Sequence, residues 1–338
     1  MKASTSTELT AVQTPNNSHP ATMGRLRSGL FGLVGALGLI AGQAFAEQTE
    51  YPLTIENNGV TLQFDGPPER AISLNGHTTE LMLSLGLADR MVGTAYLNHP
   101  LLEHLEDDYA DIPQLSGGTS YPSLEVVLGT DADFTYGRDS AYRDTAVATP
   151  ERLLEMGINA YAVEGTLVTN ATMDHVYQDI RNLGRIFDIQ PRAEALIDEI
   201  ETEIAAVQDA VADVDNTVRV FVYDMGESTA YTTGRALQTH LIELAGGYNV
   251  FGDLEETWQM VNWEEVVDRN PDVIVINDYG QTSAESKIRF LLENPALSDV
   301  AAIKNEHFVV LPLPAAFEGV RNPSAVRTLA EGFYPEAF

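Results

Sequence analysis

An internal repeat constrains the fold of this chain more than any other feature of its sequence. Residues 123–133 align without gaps on residues 262–272, and the alignment places Asp133 on Asp272. A unit that occurs twice, with a two-helix stretch between its copies, predicts two similar lobes. The spacing is far too long for a solenoid of short repeats. Because ligands commonly bind where two domains face each other, the repeat also predicts a ligand cleft between the lobes.

The pattern of apolar residues predicts the fold class α/β. Short apolar runs alternate with helical patterns throughout the chain, an order typical of α/β architecture. The lobes are expected at residues 47–170 and 214–338, with a connecting helical segment at residues 171–213. Apolar positions recur at helical spacing in residues 173–187 and, over a longer stretch, in residues 191–212. We therefore predict two similar α/β lobes joined by a long helix.

Residues 1–46 have the pattern of a leader followed by a secretory signal peptide. Arg25 and Arg27 precede an apolar run at residues 30–41, and small residues lead to Ala46. This order of basic, apolar and small residues predicts cleavage after Ala46. The apolar run is too short to span a bilayer comfortably, and a membrane anchor is the less favoured alternative.

The charge balance excludes one class of partner. The 338-residue chain has 50 Asp and Glu against 19 Lys and Arg, a net charge of −31. A field of this sign repels phosphate backbones, so we expect no nucleic-acid partner. The chain has no cysteine, which excludes disulfides, thiolate metal sites and a lipid-modified cysteine. An exported protein without a lipid anchor is expected in the periplasm, as a monomer.

The sequence contains no motif that demands catalysis. It has no G-x-S-x-G elbow, no P-loop and no H-E-x-x-H motif. We therefore predict a protein that is not an enzyme and has no cofactor. Zinc binding by His77 with His99 or His240 is conceivable, but separate histidines are the favoured interpretation because none has metal-ligand spacing within a helix.

Aromatic residues, arginines and a few polar residues follow several predicted strands, where a ligand cleft would lie. Aromatic rings provide broad contact faces, and arginine provides a bidentate fork for anionic oxygens. The alternative for each tyrosine is packing in the core, and for each arginine a structural ion pair. The candidate ligand-binding residues are Asn75, Gly76, His77, Tyr96, Tyr121, Arg138, Tyr142, Tyr231, Arg235, Trp258 and Arg321.

Four segments together resemble a known family. Residues 70–93 contain a Thr-Thr-Glu segment and a Leu-Gly helix end, and residues 124–133 resemble a Leu-Glu…Pro-Asp segment in which Ala132 replaces the usual proline. Residues 233–251 and 258–276 resemble the matching parts of a second lobe. In order and spacing, these segments are similar to the periplasmic binding proteins for iron–siderophore complexes and cobalamin.

The resemblance implies two α/β lobes joined by a rigid helix, with a shallow cleft and only small closure on ligand binding. It also implies delivery of the ligand to the permease of an ATP-driven ABC importer in the inner membrane, where one surface glutamate on each lobe engages arginine pockets. Glu80 and Glu264 match these docking positions, and solvated helix residues are the alternative. Glu125 is the repeat equivalent of Glu264, but the sequence offers no docking reason to prefer it.

The expected ligand is a ferric siderophore, a small-molecule iron chelate. Its oxygen-rich and often anionic shell suits the arginines and tyrosines among the candidates. Cobalamin, which prefers aromatic faces and few charges, is one alternative, and haem with His77 or Tyr231 as axial ligand is another. His77 could also complete the coordination of a chelated iron. A free-metal binding protein and an exported enzyme are the less favoured classes.

Overall fold

Two four-stranded sheets organise residues 48–338, the part of the chain that the computed structural model describes. We call the parts built on these sheets the first lobe and the second lobe. The predicted signal peptide within residues 1–46, with its cleavage after Ala46, lies outside the described residues. Across residues 48–338, no helix has both the length and the apolar character that crossing a membrane requires.

The strands form two parallel sheets and two antiparallel pairs. Their bounds are β1 Leu53–Asn57, β2 Val60–Phe64, β3 Ala71–Ser73, β4 Met91–Thr94, β5 Phe134–Gly137, β6 Asn159–Ala162, β7 Val218–Tyr223, β8 Ala230–Thr233, β9 Gly247–Asn249, β10 Trp258–Val261, β11 Val273–Asp278 and β12 Phe308–Pro312. The first lobe has the strand order β4-β3-β5-β6, and the second lobe has β12-β11-β7-β9, with parallel neighbours throughout. The antiparallel pairs are β1-β2 and β8-β10.

The two parallel sheets have the same topology. When strands are numbered by their order along the chain within each sheet, both sheets run 2-1-3-4. The aligned aspartates also have the same role. The Asp133 carboxylate accepts hydrogen bonds from Glu69 N and Arg70 N, at 2.8 and 3.0 Å. The Asp272 carboxylate accepts one from Arg219 N at 3.0 Å. Each carboxylate ties the starts of two neighbouring strands together, so the predicted repeat is confirmed as two copies of one α/β unit.

Helices cover the sheets and connect the lobes. Their bounds are α1 Gly76–Ser84, α2 Glu106–Tyr109, α3 Leu124–Leu128, α4 Pro150–Glu155, α5 Met173–Ile186, α6 Gln190–Ala210, α7 Leu237–Leu244, α8 Trp263–Arg269, α9 Ala284–Glu293, α10 Ala301–Lys304 and α11 Asn322–Phe333. α5 and α6 follow the first sheet and pack against each other, and α6 also packs on α11. Pro191 lies in the first turn of α6, where its missing N–H leaves no helical bond unmade.

One apolar cluster runs through both lobes. It contains Phe134 of the first sheet, Ile180 of α5, Ile200 of α6 and Val222 of the second sheet, all buried. The opposite face of each sheet packs in a cluster of its own. Because burial of apolar surface is worth about 25 cal/mol per Å², any movement that separates the lobes at this cluster is unfavourable. The shared core therefore favours a rigid connection.

Two features differ from the sequence-based expectation. The helical pattern predicts a start at Thr79, whereas α1 begins at Gly76. It begins earlier because Thr78 Oγ1 accepts a hydrogen bond from Asn75 N and closes the first turn. The hairpin β1-β2 has no counterpart among the predicted elements. Its turn residues Asn58 and Gly59 both have positive φ, 48° and 81°, as a two-residue hairpin turn requires.

Candidate functional site

The carboxyl ends of the central strands bring two groups of loops together. In each sheet the chain order reverses between two central strands, β3 and β5 in the first lobe and β7 and β11 in the second. Ligands of open parallel sheets bind outside the carboxyl ends at such a switch point. Asn75 and Arg138 follow the first pair of strands, and Asp224 and Tyr279 follow the second pair. The cleft between these loops is therefore the candidate ligand site.

The larger cavity of this cleft has a volume of about 680 Å³. The first lobe contributes the loop after β4, chiefly Tyr96 and residues 98–103. The second lobe contributes residues 278–280 and 312–314, together with Phe317. Apolar and aromatic side chains make up most of this lining, as they do in most small-molecule sites.

Phe317 separates this cavity from a smaller one of about 200 Å³, because it lines both. Its ring lies 5.3 Å from the ring of His77 and 4.8 Å from the guanidinium carbon of Arg138. A side chain of the second lobe is thus held between two side chains of the first. Arg138 also forms an ion pair with the adjacent Glu318, at 3.5 Å. The partition is therefore part of the junction between the lobes.

A buried ion pair joins the lobes at the edge of the larger cavity. Arg321 donates to the two carboxylate oxygens of Glu80, from Nε at 2.8 Å and from Nη2 at 2.5 Å. The Glu80 carboxylate is fully buried and also accepts a hydrogen bond from Leu102 N at 3.0 Å. Arg321 Nη2 donates further to Pro100 O at 2.8 Å. The pair therefore fixes the cavity loop of the first lobe as well as the contact between the lobes.

The two histidines at this junction are uncharged at neutral pH. Burial lowers the pKa of His77 well below its usual value, and the positive charge of Arg138 lowers it further. Burial also lowers the pKa of His99, which lines the larger cavity. His240 lies on α7 beside Glu243 instead, at 3.6 Å. Within residues 48–338, no group of three or more His, Cys, Asp or Glu side chains is arranged to hold a metal ion.

Comparison with known proteins identifies the family. The model of a family described as "Periplasmic binding protein" matches residues 72–315, from the first sheet to the loop after β12. The chain belongs to this family. The resemblance of the sequence segments is thereby confirmed.

Relatives and solved structures support the same assignment. The cobalamin-binding protein of Halobacterium salinarum is 29% identical over 232 residues, a match that covers 67% of this chain but only 58% of that relative. A periplasmic binding protein from Veillonella parvula is 30% identical, with a TM-score of 0.78 and coverage of 84% of this chain and 97% of that one. A structure of an ABC-type Fe³⁺-hydroxamate transport system from Saccharomonospora viridis is 28% identical, with a TM-score of 0.71 and coverage of 84% and 99%. These likenesses confirm the two-lobed α/β fold.

Several of the predicted ligand residues lie in the cleft of this binding protein. Tyr96 and Arg321 line the larger cavity, and Arg138 and Trp258 line the smaller one. Tyr96 has a φ of 53° and places its ring 4.8 Å from that of Tyr121. A left-handed backbone at a bulky residue is uncommon, and such strain clusters at functional sites.

Other predicted residues support the cavity walls from behind. Asn75 Oδ1 accepts a hydrogen bond from Arg138 N at 2.9 Å, and Asn75 Nδ2 donates to Tyr121 OH at 3.1 Å. Gly76 lies against the ring of His99, which a Cβ at position 76 would strike at 2.6 Å. A larger residue at position 76 would therefore displace the His99 ring from its place in the cavity loop.

Tyr231 extends the aromatic surface beside the smaller cavity. Its ring stacks on that of Trp258 with a centroid distance of 5.7 Å. The two residues come from β8 and β10, whose antiparallel pairing places them on one face of the two-stranded sheet. The structure therefore brings these two predicted residues together, although Tyr231 itself lines neither cavity.

The structure contradicts one of the predicted ligand contacts and places another residue outside the two cavities of the cleft. Tyr142 is buried in the core of the first lobe, where its hydroxyl donates to Tyr161 O at 3.1 Å and contacts Thr135 Oγ1 at 3.2 Å. Arg235 lines a separate cavity of about 360 Å³ together with Asp253, outside both cavities of the cleft. Both residues follow a strand, as predicted, but position in the sequence does not show which way a side chain points.

The prediction that Glu80 is a surface residue is also wrong. Its carboxylate is enclosed between the lobes and held by Arg321, so it has no face to offer to another protein. Glu264 is exposed in the first turn of α8. Its repeat equivalent Glu125 is exposed in the first turn of α3. The matched exposed pair, one glutamate on each lobe, is therefore Glu125 and Glu264.

The main cavity residues that the sequence-based set omits lie in two apolar loops. One is the Asn-His-Pro-Leu-Leu segment at residues 98–102, and the other is the Pro-Leu-Pro segment at residues 312–314. Leucines and prolines in a loop after a strand bury little surface unless something packs on them. That signal could have added these two loops to the predicted site, which the polar and aromatic residues located only in part.

Proposed function

We propose that this periplasmic binding protein captures a large, uncharged metal chelate of the corrinoid type, such as cobalamin, and delivers it to an ABC importer. One observation carries the proposal. The larger cavity is lined mainly by apolar and aromatic residues, and the arginine among its described lining residues is held by the buried Glu80 carboxylate. A corrinoid, whose macrocycle is fringed with neutral amides, suits such a surface.

The charges around the cavity support an uncharged ligand. Glu103 and Asp278 line it, His99 adds no positive charge at neutral pH, and the whole chain carries a net charge of −31. A polyanionic chelate would meet repulsion at long and at short range. Two of the three arginines that favour an anionic ferric siderophore in the sequence are paired with carboxylates, Arg138 with Glu318 and Arg321 with Glu80.

A ferric hydroxamate is the second candidate ligand. The likeness to the Fe³⁺-hydroxamate transport structure from Saccharomonospora viridis, at 28% identity, favours it. An uncharged ferric trihydroxamate meets the same electrostatic requirement as a corrinoid. Haem gains less support, because its suggested axial ligands His77 and Tyr231 line neither cavity.

The delivery step rests on the exposed glutamates of the two lobes. Glu125 and Glu264 occupy equivalent turns of α3 and α8 in the two copies of the repeat. A permease with one basic pocket for each lobe could therefore engage both copies of the same local structure. In this proposal the protein acts in the periplasm as a carrier and catalyses no reaction.

Calorimetric titration with cyanocobalamin, a neutral ferric trihydroxamate, a ferric tris-catecholate and haem tests the ligand class. We expect micromolar or tighter binding of cyanocobalamin and weak binding of the tris-catecholate. Tight binding of the tris-catecholate without any binding of cyanocobalamin would contradict the proposal.

The two tryptophans of the chain provide an internal control for the position of the ligand. Trp258 lines the smaller cavity, whereas Trp263 is buried in the second lobe and donates from Nε1 to Glu227 O at 2.8 Å. Trp258→Phe should remove most of the ligand-induced fluorescence change, and Trp263→Phe should retain it. The opposite result would place the ligand outside the cleft.

A further inference from the structure

The positive charge of Arg321 at the larger cavity is balanced by the buried carboxylate of Glu80. Arg321 is the single arginine among the described residues that line this cavity, and about 17% of this side chain is exposed. Glu80, which holds it, has an exposure of 0%. The carboxylate is therefore out of reach of a ligand, while the guanidinium is within reach.

The described residues that line this cavity include no lysine and no second arginine. Lys287 lies 4.5 Å from the ring centre of Tyr279, but it is buried and donates to Asn277 O at 2.5 Å. The carboxylate of Asp224 accepts a hydrogen bond from Tyr279 OH at 2.6 Å on the same side. This lysine does not line the cavity, so Arg321 is the cation of a lining that also contains the acidic residues Glu103 and Asp278.

We propose that Glu80 is a specificity-determining residue, which neutralises Arg321 and thereby makes the cavity select uncharged chelates over anionic ones. The inference rests on the proposed function and names the residue that sets its ligand class. In wild-type protein the guanidinium still donates hydrogen bonds, but a negative ligand gains little from it because the ion pair is already formed.

The same carboxylate also holds the cavity loop, so the test needs a variant that keeps its shape. Glutamine in place of Glu80 keeps the size of the side chain, and its Oε1 can still accept hydrogen bonds from Leu102 N and Arg321 Nη2. Its NH₂ group replaces the oxygen that accepts from Arg321 Nε, so the variant removes the charge together with that one hydrogen bond. Glu80→Gln therefore leaves a cation at the wall. Arg321→Gln leaves the buried anion instead, and the double variant leaves neither.

The experiment measures charge selectivity as a ratio of dissociation constants. Cyanocobalamin is compared with its monocarboxylates, in which one side-chain amide is hydrolysed to an acid, and a neutral ferric trihydroxamate is compared with a ferric tris-catecholate. The ratio is the dissociation constant of the anionic ligand divided by that of the neutral ligand. In Glu80→Gln this ratio should fall at least tenfold, which corresponds to about 1.4 kcal/mol. Arg321→Gln should raise the ratio, and the double variant should return to within about threefold of wild type.

A change that is confined to stability would weaken both ligands equally and leave the ratio unchanged. An unchanged ratio in Glu80→Gln would therefore overturn the inference. If Glu80→Gln does not fold, Arg321→Gln is compared with the double variant instead. These two proteins differ only at position 80, and their ratios of dissociation constants should differ at least tenfold. Glu151→Gln, in an exposed turn of α4 outside both cavities, controls for net charge.

The two ligand pairs separate failure of this inference from failure of the proposed function. If the wild-type protein binds no corrinoid, the corrinoid proposal fails. The neutral ferric trihydroxamate and the ferric tris-catecholate then test by themselves whether Glu80 controls charge selectivity. If wild type binds cyanocobalamin but Glu80→Gln does not change either ratio, the function stands and the role of Glu80 is wrong.

Discussion

The guanidinium carbon of Arg138 lies 4.8 Å from the ring centre of Phe317, so that a first-lobe cation covers a second-lobe ring across the cleft. Cation–π contacts of this kind contribute about 0.5–2 kcal/mol, the larger values applying when the pair is shielded from water. The contact stabilises the partition between the two cavities. The shape of the ligand site therefore depends on the same side chains that hold the lobes together.

Removal of the partition should weaken ligand binding. Phe317→Ala would merge the two cavities and remove the contacts with His77 and Arg138. Because Phe317 is half-buried, we expect a loss of about 1–3 kcal/mol in the free energy of unfolding and at least a tenfold loss of affinity, measured by denaturant titration and calorimetry. Phe317→Leu keeps an apolar wall and should retain most of the affinity. Full affinity in Phe317→Ala would show that the partition is not part of the site.

Titration of His77 should make the protein less stable in mild acid. Its pKa is lowered in the folded state chiefly by burial and further by the positive charge of Arg138. The unfolded chain therefore binds the proton more readily, and stability falls as pH drops below about 6.5, by at most about 1.4 kcal/mol per pH unit. His77→Phe removes this slope and also removes a buried nitrogen, Nε2, that has no partner among the described residues.

The difference between the two stability profiles isolates the histidine. Burial raises the pKa of Asp179, and a raised carboxyl pKa makes stability fall as pH increases, which is the opposite sign. Asp179 is present in both proteins, so its contribution cancels in the difference. Exposed His104→Asn should change stability at neutral pH by no more than about 0.5 kcal/mol. Parallel profiles for wild type and His77→Phe between pH 5 and pH 7 would refute the assignment.

Loss of both exposed repeat glutamates should stop uptake without affecting ligand binding. We expect Glu125→Ala with Glu264→Ala to abolish transport in cells or proteoliposomes that contain the cognate importer, because both lobes lose their acidic contact. Ligand affinity should be unchanged, since neither residue lines the cleft.

A matched control tests whether charge alone explains that result. Glu151 and Glu285 are also exposed in the first turns of helices, α4 and α9. The double alanine variant at these positions removes the same number of charges and should transport normally. Equal loss of transport in both double variants would argue against a specific docking pair.

Tyr142 provides a test of its reassignment from ligand contact to core. Tyr142→Phe removes the hydroxyl that donates to Tyr161 O and should cost about 1–2 kcal/mol in the free energy of unfolding. Affinity for every chelate should remain at the wild-type value. A selective loss of affinity with unchanged stability would restore the predicted ligand contact.

Local patterns were sufficient to predict much of the fold. The run Val218–Tyr223 is apolar enough to be identified as a strand, and it is β7. The repeat predicted two equivalent lobes because each copy contains the residues with which one helix packs on the strand that follows it. The hairpin β1-β2 also had a local signal, the Asn58-Gly59 turn between alternating strands. The lobe boundaries at residues 170 and 213 stay a prediction.

The candidate site was harder to predict because its chemistry depends on pairing. Glu80 and Arg321 are 241 positions apart, and nothing local in either segment shows that they meet. Sequence gave each residue a plausible separate role, docking for the glutamate and ligand binding for the arginine. Only the tertiary fold shows that the Glu80 carboxylate is paired with the Arg321 guanidinium, the arginine of the larger cavity.

The apolar cluster that passes through both lobes also limits how the chain can be divided. Each copy of the repeat covers one face of its own sheet, but the other face depends on α5, α6 and the partner copy. Neither half is a self-sufficient domain, although each contains a full set of sheet strands. Fragments separated in the short loop between α5 and α6 should therefore be insoluble alone and regain ligand binding only when they are refolded together.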